Sequence, residues 1–355
     1  MTADTIGGVW TYAIELSKSL VDNNIEVHLA CMGKSLSGDQ LLQISNIKNL
    51  TVYSKEYKLE WMQDPWEDIE KAGQWLMKLQ EQIQADIIHL NNYVHGNLAW
   101  NVPVIMVAHS CVFSWWKSVK EKNIPDEWNL YYKNVKAGLQ AADLVIGVSQ
   151  TYLNEVNNLY GPLNRSWWIY NGTILGNYFI GEKKPLIFSM GRVWDEGKNL
   201  KLLASISDKI NWSVSIAGSI DHPDNLETKD HEGIFTGHLN PDQIRKFLSE
   251  ASIFVLPAKY EPFGLSALEA ALSGCALVLA DIPTLKEIWG NAAIFFDLND
   301  PISLINKINT LIEDEDLLLD YQKRAFKKAQ NYDVKKMTAS YLDAYKQILN
   351  HKTEK

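Results

Sequence analysis

The chain has 355 residues, 46% of them hydrophobic, enough to bury two sizeable cores and too much for a disordered or fibrous protein. A net charge of −9 and a pI near 5.4 argue against a nucleic-acid binder, which normally carries a basic face. Three cysteines, Cys31, Cys111 and Cys275, are an odd number without metal-ligand spacing, which suits a reducing cytosol. No apolar run approaches a membrane span, and the first residues do not read as a basic then apolar signal. The expectation is a cytoplasmic protein, with peripheral contact at the inner membrane face left open. Two basic clusters, KSVKEK from Lys117 and KRAFKK from Lys323, read as solvated helix faces rather than membrane patches.

The opening TIGGVWTYAIELSKSL places Gly7 and Gly8 before a helix whose inner face carries Trp10, Ala13, Ile14, Leu16 and Leu20. Only five residues precede Ile6, so either the native start lies upstream or the first strand is abbreviated. Strands are predicted at 26–31, 50–53, 87–90, 104–108, 144–148 and 166–169, and a second series at 186–190, 212–217, 234–236, 253–256, 276–280 and 293–296. Helical periodicity fills the intervals, the pattern of doubly wound α/β domains with parallel sheets. The glycine-rich, weakly periodic stretch 171–185 is the expected linker. This divides the chain into a first domain at 1–170, a second at 186–332 and a terminal helical segment at 333–355.

Two loops of the second series carry chemistry. GRVWDEGKNL, directly after the strand at 186–190, sets Arg192 and Lys198 around a turn into a helix. Two cations beside a helix start would hold a pyrophosphate leaving group without a metal. EPFGLSALE follows the strand at 253–256 and puts Glu261 before a helix and Glu269 inside it. Gly264 lets the backbone approach a ligand, and the free N–H groups of the new helix favour a diphosphate. One carboxylate can then meet a sugar while the other accepts bonds from ribose hydroxyls.

This pattern resembles the Glu-x7-Glu signature of the group 1 (family 4) retaining glycosyltransferases, with Pro262, Phe263, Gly264 and Leu265 agreeing as well. The resemblance implies the GT-B fold, two Rossmann-like domains facing across a cleft, with a C-terminal helix crossing back to the first domain. It also implies a nucleotide-diphosphate sugar as donor and a glycan, lipid-linked or small-molecule acceptor, with no cofactor and no metal. The family's roles carry over as diphosphate binding by Arg192 and Lys198, ribose binding by Glu269, and sugar binding by Glu261 and His109. Gly8 corresponds to the glycine loop, Phe263, Gly264 and Leu265 to the donor loop, and Gly218, His238 and Leu239 to loops lining the base. Rival chemistries of the same fold, sugar-nucleotide epimerisation or phosphorolysis, have no distinct motif here, and a non-catalytic binder would not need Glu261, Glu269, Arg192 and Lys198 together.

Asp314-Glu315-Asp316 spells an Asp-x-Asp triplet, but within IEDEDLLLDY it reads as an acidic helix start. FSWWKSV places Trp115 and Trp116 just beyond His109. Adjacent residues cannot both face inward on one element, so at least one of the pair is expected to line the acceptor side.

Overall fold

A computed structural model describes residues 1–120, 122–220 and 234–353. Glu121 of the first basic cluster and the last two residues of the terminal segment lie outside the described residues. The chain divides into two compact units, Met1–Gly172 with Val334–Lys355, and Thr173–Asp333.

In the first unit the strands are β1 (Thr2–Asp4), β2 (Val27–Gly33), β3 (Leu50–Glu56), β4 (Ile88–Leu90), β5 (Val104–Ala108), β6 (Leu144–Gly147) and β7 (Ser166–Trp168). They form two parallel sheets, β1-β2-β3 and β4-β5-β6-β7. β1 is only three residues long and lacks an apolar run, which is why composition did not mark it. No ladder joins β1 to β4 among the described residues. Instead the Asn91 backbone N–H donates to Thr2 Oγ1 at 2.9 Å, and Asn91 Nδ2 donates to the Thr2 carbonyl at 2.7 Å. Side chains thus bridge a seam in the order 3-2-1-4-5-6-7, placing the reversal of strand order at β1 and β4.

Helix Gly8–Asp22 buries Trp10, Ala13, Ile14, Leu16 and Leu20 as expected, but also Tyr12, Ser17 and Ser19. It is covered on a second side because the terminal helix Val334–Thr353 packs against it, with the Tyr12 and Tyr341 rings 6.1 Å apart. Met337, Tyr341, Ala344 and Ile348 form the buried stripe of that helix, at the three- and four-residue spacing of one helical face.

The second unit is a single parallel sheet of β8 (Lys184–Met190), β9 (Ser213–Ala217), β10 (Phe235–Gly237), β11 (Ala251–Leu256), β12 (Ala276–Ala280) and β13 (Ile294–Phe296). Its order, β10-β9-β8-β11-β12-β13, is that of a nucleotide-binding Rossmann sheet. β11 and β12 are buried on both faces and read as unbroken apolar runs for that reason. Ile187, Ile253, Val255 and Val278 pack on one side with Leu203, Leu304 and Ile308 of the covering helices.

The stretch 171–185, expected as a linker, is strapped down from Thr173 onward. Thr173 N–H donates to the Tyr332 carbonyl, and Gly181 N–H to that of Ser249. The Lys183 ammonium donates to the carbonyls of Leu248, Ala251 and Ser273 at 3.2, 2.7 and 2.6 Å, and burial lowers its pKa. These bonds hold the segment to the second unit despite its weak periodicity. Among the described residues no helix is long and apolar enough to cross a membrane.

Candidate active site

In the second unit, strand order reverses between β8 and β11, and both chemistry-bearing loops leave the carboxyl ends of those two neighbours. The loops are stitched together through one carbonyl, that of Gly197, which accepts from the backbone of Lys259 at 2.9 Å and of Tyr260 at 3.3 Å. Lys198 Nζ then reaches Glu261 Oε2 at 2.6 Å, with side-chain exposures of 21% and 11%. Residues 63 positions apart therefore form one charged pair, largely removed from water.

Arg192 is held from two sides. Its NH2 group donates to Asp195 Oδ2 at 2.6 Å, and its guanidinium lies 5.1 Å from the centre of the Trp194 ring. Asp195 is nearly buried; its other oxygen accepts from the Gly197 N–H at 2.9 Å, while its own N–H donates to the Arg192 carbonyl. One carboxylate thus folds the loop and aims the arginine. Sequence reasoning passed over Asp195 and Trp194, although both stand in the quoted motif, because an Asp three residues after an Arg is commonplace on a solvated loop.

Gly264 precedes the helix Leu265–Leu272 in the left-handed region, at φ 92° and ψ 59°, where a side chain would be strained. Phe263 is 3% exposed and meets Tyr332 edge-on at 5.5 Å, so its side chain belongs to the core. Leu265 and Glu269 are half-buried on that helix. Thr284 Oγ1 donates to the Glu261 carbonyl at 2.6 Å, a brace from β12's following helix that sequence did not reveal.

On the other flank, Gly218 follows β9 at φ 151°, and a Cβ there would fall 1.7 Å from the Gly191 carbonyl oxygen. The Gly191 N–H in turn donates to the Ala217 carbonyl, and Gly218 N–H to that of Gly237, so three loop ends are drawn together. His238 is exposed and Leu239 half-buried just beyond β10. Asp314, of the acidic triplet, accepts from the Leu317 N–H at 2.9 Å and caps the helix Glu315–Ala329.

In the first unit, Gly8 is exposed at the start of helix Gly8–Asp22. His109 leaves β5 and is half-buried, its Nε2 2.9 Å from Asn91 Oδ1 and its ring edge-on to Tyr12 at 4.5 Å. Burial pushes its pKa down to about 3. Trp115 and Trp116 lie on helix Val112–Lys120, both half-buried, their rings 6.2 Å apart and roughly perpendicular. Lys120 stands 5.7 Å from the Trp115 ring centre.

An uncharacterised glycosyltransferase of Methanocaldococcus jannaschii is 25% identical over 80% of this chain and 79% of its own length. Sucrose-phosphate synthase from Thermosynechococcus elongatus superposes with a TM-score of 0.79 at 16% identity, over 97% of this chain and 94% of that one. The Anabaena HepE protein, solved with UDP and glucose, gives 0.73 at 17% identity, over 96% of each chain. These neighbours share the GT-B fold. The sequence profile of Glycosyltransferase Family 4 matches residues 6–175 and that of Glycosyl transferases group 1 matches residues 173–328. Together they span both units, and the chain belongs to the group 1 glycosyltransferases, enzymes that transfer a sugar from a nucleotide sugar.

Proposed function

We propose that this glycosyltransferase works with retention and without a metal, moving a sugar from a nucleoside-diphosphate sugar to a glycan, lipid-linked or small-molecule acceptor. The observation that carries the reading is the pair Lys198–Glu261 at 2.6 Å beside the braced Arg192, all at the β8/β11 reversal. Two cations there would neutralise charge on the leaving diphosphate as its bond to the sugar breaks, which is the task a metal performs elsewhere. A donor entering the site would exchange the Lys198–Glu261 contact for two others, phosphate on the ammonium and sugar hydroxyls on the carboxylate. Glu269 would accept from the ribose hydroxyls; Gly218, His238 and Leu239 would border the base, and Gly8 and His109 would meet the phosphates and the sugar.

In a front-face displacement the bond from the anomeric carbon to the diphosphate oxygen breaks, and the acceptor oxygen bonds to that carbon on the same face. The departing phosphate oxygen takes the acceptor's proton, so no protein base is required. That fits a histidine held neutral, and it gives Trp115 or Trp116 the acceptor side. A uridine diphosphate sugar is the first donor to try, since a fold neighbour was solved with UDP and glucose. The enzyme would work in the cytoplasm, at the inner membrane face where its acceptor is lipid-linked.

The test is transfer, or donor hydrolysis without acceptor, measured in excess chelator. Undiminished turnover is expected. Complete loss restored by magnesium or manganese would overturn the metal-free reading, and an inverted product anomer would overturn retention. Glu269→Ala is expected to weaken nucleoside-diphosphate binding by about 1.5–3 kcal/mol, the scale of hydrogen bonds to a charged group. Unchanged affinity by calorimetry would remove Glu269 from the site.

A further inference from the structure

The seam between β1 and β4 carries a chain of polar contacts in which each proton has one place to be. The Thr2 carbonyl can only accept, so the Asn91 atom 2.7 Å from it is the amide nitrogen. The Asn91 oxygen therefore faces His109, and an amide oxygen also only accepts. The ring nitrogen 2.9 Å away, Nε2, must carry the proton. The neighbouring contacts run the same way. Asn91 N–H donates to Thr2 Oγ1, Thr2 donates to Asn92 Oδ1 at 3.2 Å, and Asn92 Nδ2 donates to His95 Nδ1 at 2.8 Å. His95 Nε2 ends the chain on the Ile69 carbonyl at 3.2 Å. Thr2, Asn91, Asn92 and His95 are all buried, so reversing one amide would leave several groups unpaired away from water.

We propose that Asn91 is a positioning residue for sugar transfer: it locks His109 as the Nε2–H tautomer, so that the ring offers only the Nδ1 lone pair, an acceptor for a hydroxyl of the donor sugar. This rests on the reading that His109 meets the donor. Among the described residues the ring makes no second hydrogen bond. A lone pair repels phosphate oxygens and accepts from hydroxyls, so the tautomer selects which part of the donor His109 can touch. The groups that face the ring keep it neutral: Tyr12 from helix Gly8–Asp22 stands edge-on, and His89 from β4 is itself held between the Tyr12 and Tyr345 hydroxyls at 3.2 and 2.7 Å.

The ring nitrogens are read by 15N NMR of the histidine-labelled full chain, with His109 assigned by the signal lost in His109→Gln. One neutral Nε2–H form, without titration from about pH 5 to 8, is expected; an Nδ1–H form, or titration near the ordinary value of about 6.5, overturns the proposal. Asn91→Asp keeps an acceptor and adds a charge, so kcat/KM for the donor should gain a pH dependence that the wild type lacks. An unchanged profile counts against the lock. Asn91→Leu should mix the tautomers and raise donor KM about tenfold, the scale of one hydrogen bond. Mixed tautomers with an unchanged KM would overturn the positioning role. If Asn91→Leu does not fold, the wild-type spectrum and Asn91→Asp still decide. Because the spectrum is taken on the free protein, failure of the donor assignment cannot be mistaken for failure of the lock.

Discussion

The two units reverse strand order at their fourth strand in the same topological sense, yet they finish the reversal with opposite chemistry. Between β8 and β11 a backbone ladder spans the reversal, with Ala251 opposite Lys184 and, after a shift of register, Ile253 opposite Ile187 and Phe254 opposite Phe188, and the loops above it carry charges. Between β1 and β4 the ladder is replaced by Thr2 and Asn91, and the groups above it are neutral histidine, asparagine and tyrosine. The second unit concentrates charge at its reversal, in the pairs Arg192–Asp195 and Lys198–Glu261. The first is built to hold direction-specific hydrogen bonds, where a stray charge would be costly.

The charged side should break hardest. Lys198→Ala is expected to lower kcat about 10²–10³-fold, the loss typical of one preorganised group at a departing charge, with a smaller change in donor KM. Equal loss in KM alone would place Lys198 in ground-state binding. Next, Gly218→Ala should destabilise the second unit by about 3 kcal/mol in urea unfolding, because its Cβ would fall 1.7 Å from the Gly191 oxygen and no side chain is there to yield. A variant as stable as wild type would show that the three loop ends can move apart freely.

The neutral side should respond to pH instead. Glu60 is buried; its Oε2 accepts from the Tyr93 and Val94 N–H groups at 3.0 Å each, and its Oε1 from the Tyr93 N–H at 3.2 Å. Burial outweighs those bonds and raises its pKa to about 7 from 4.5. A carboxyl raised on folding favours the folded state while protonated. Its contribution is therefore full below about pH 4.5 and is lost as pH climbs through about 7. The first unit should lose up to about 3 kcal/mol between pH 5 and 9 by this route, and Glu60→Gln should flatten the profile of melting temperature against pH. The smallest effect is expected from Asp195→Ala. Arg192 keeps its charge and its place on Trp194 but loses its aim, so donor affinity should fall by about 1 kcal/mol, or fivefold, in calorimetry. A fall of about a hundredfold would mean that Asp195 does more than orient.

Much of the architecture was legible because buried strands announce themselves. IFVL and ALVLA, for β11 and β12, admit few other readings, and most predicted strand ends fall within two residues of those observed. Arg192, Lys198, Glu261 and Glu269 could be singled out because each sits in a short local pattern at a strand-to-helix turn. Contacts between residues far apart in the chain could not. Thr284 lies 23 residues from Glu261, Asn91 lies 89 from Thr2, and Tyr345 lies 256 from His89. Such pairs are created by strand order, which a one-dimensional pattern does not display. β1 was legible only as an abbreviated strand before the glycine loop: with TAD as its entire content, it is held by neighbours on both sides rather than by its own apolar run.

The cysteines, unremarked except as a sign of a reducing compartment, acquire a use from their placement. All three are buried, Cys31 and Cys111 in the first unit and Cys275 in the second. Burial pushes the thiols of Cys31 and Cys275 up to about 12 and 11, and that of Cys111 upward as well. Thiolate, the form that attacks alkylating reagents, is therefore scarce in the folded chain and more abundant once a unit opens. Native thiols become clocks for local opening, two reporting on one unit and one on the other. Timed alkylation followed by peptide mapping would follow the two units separately, without a single introduced label.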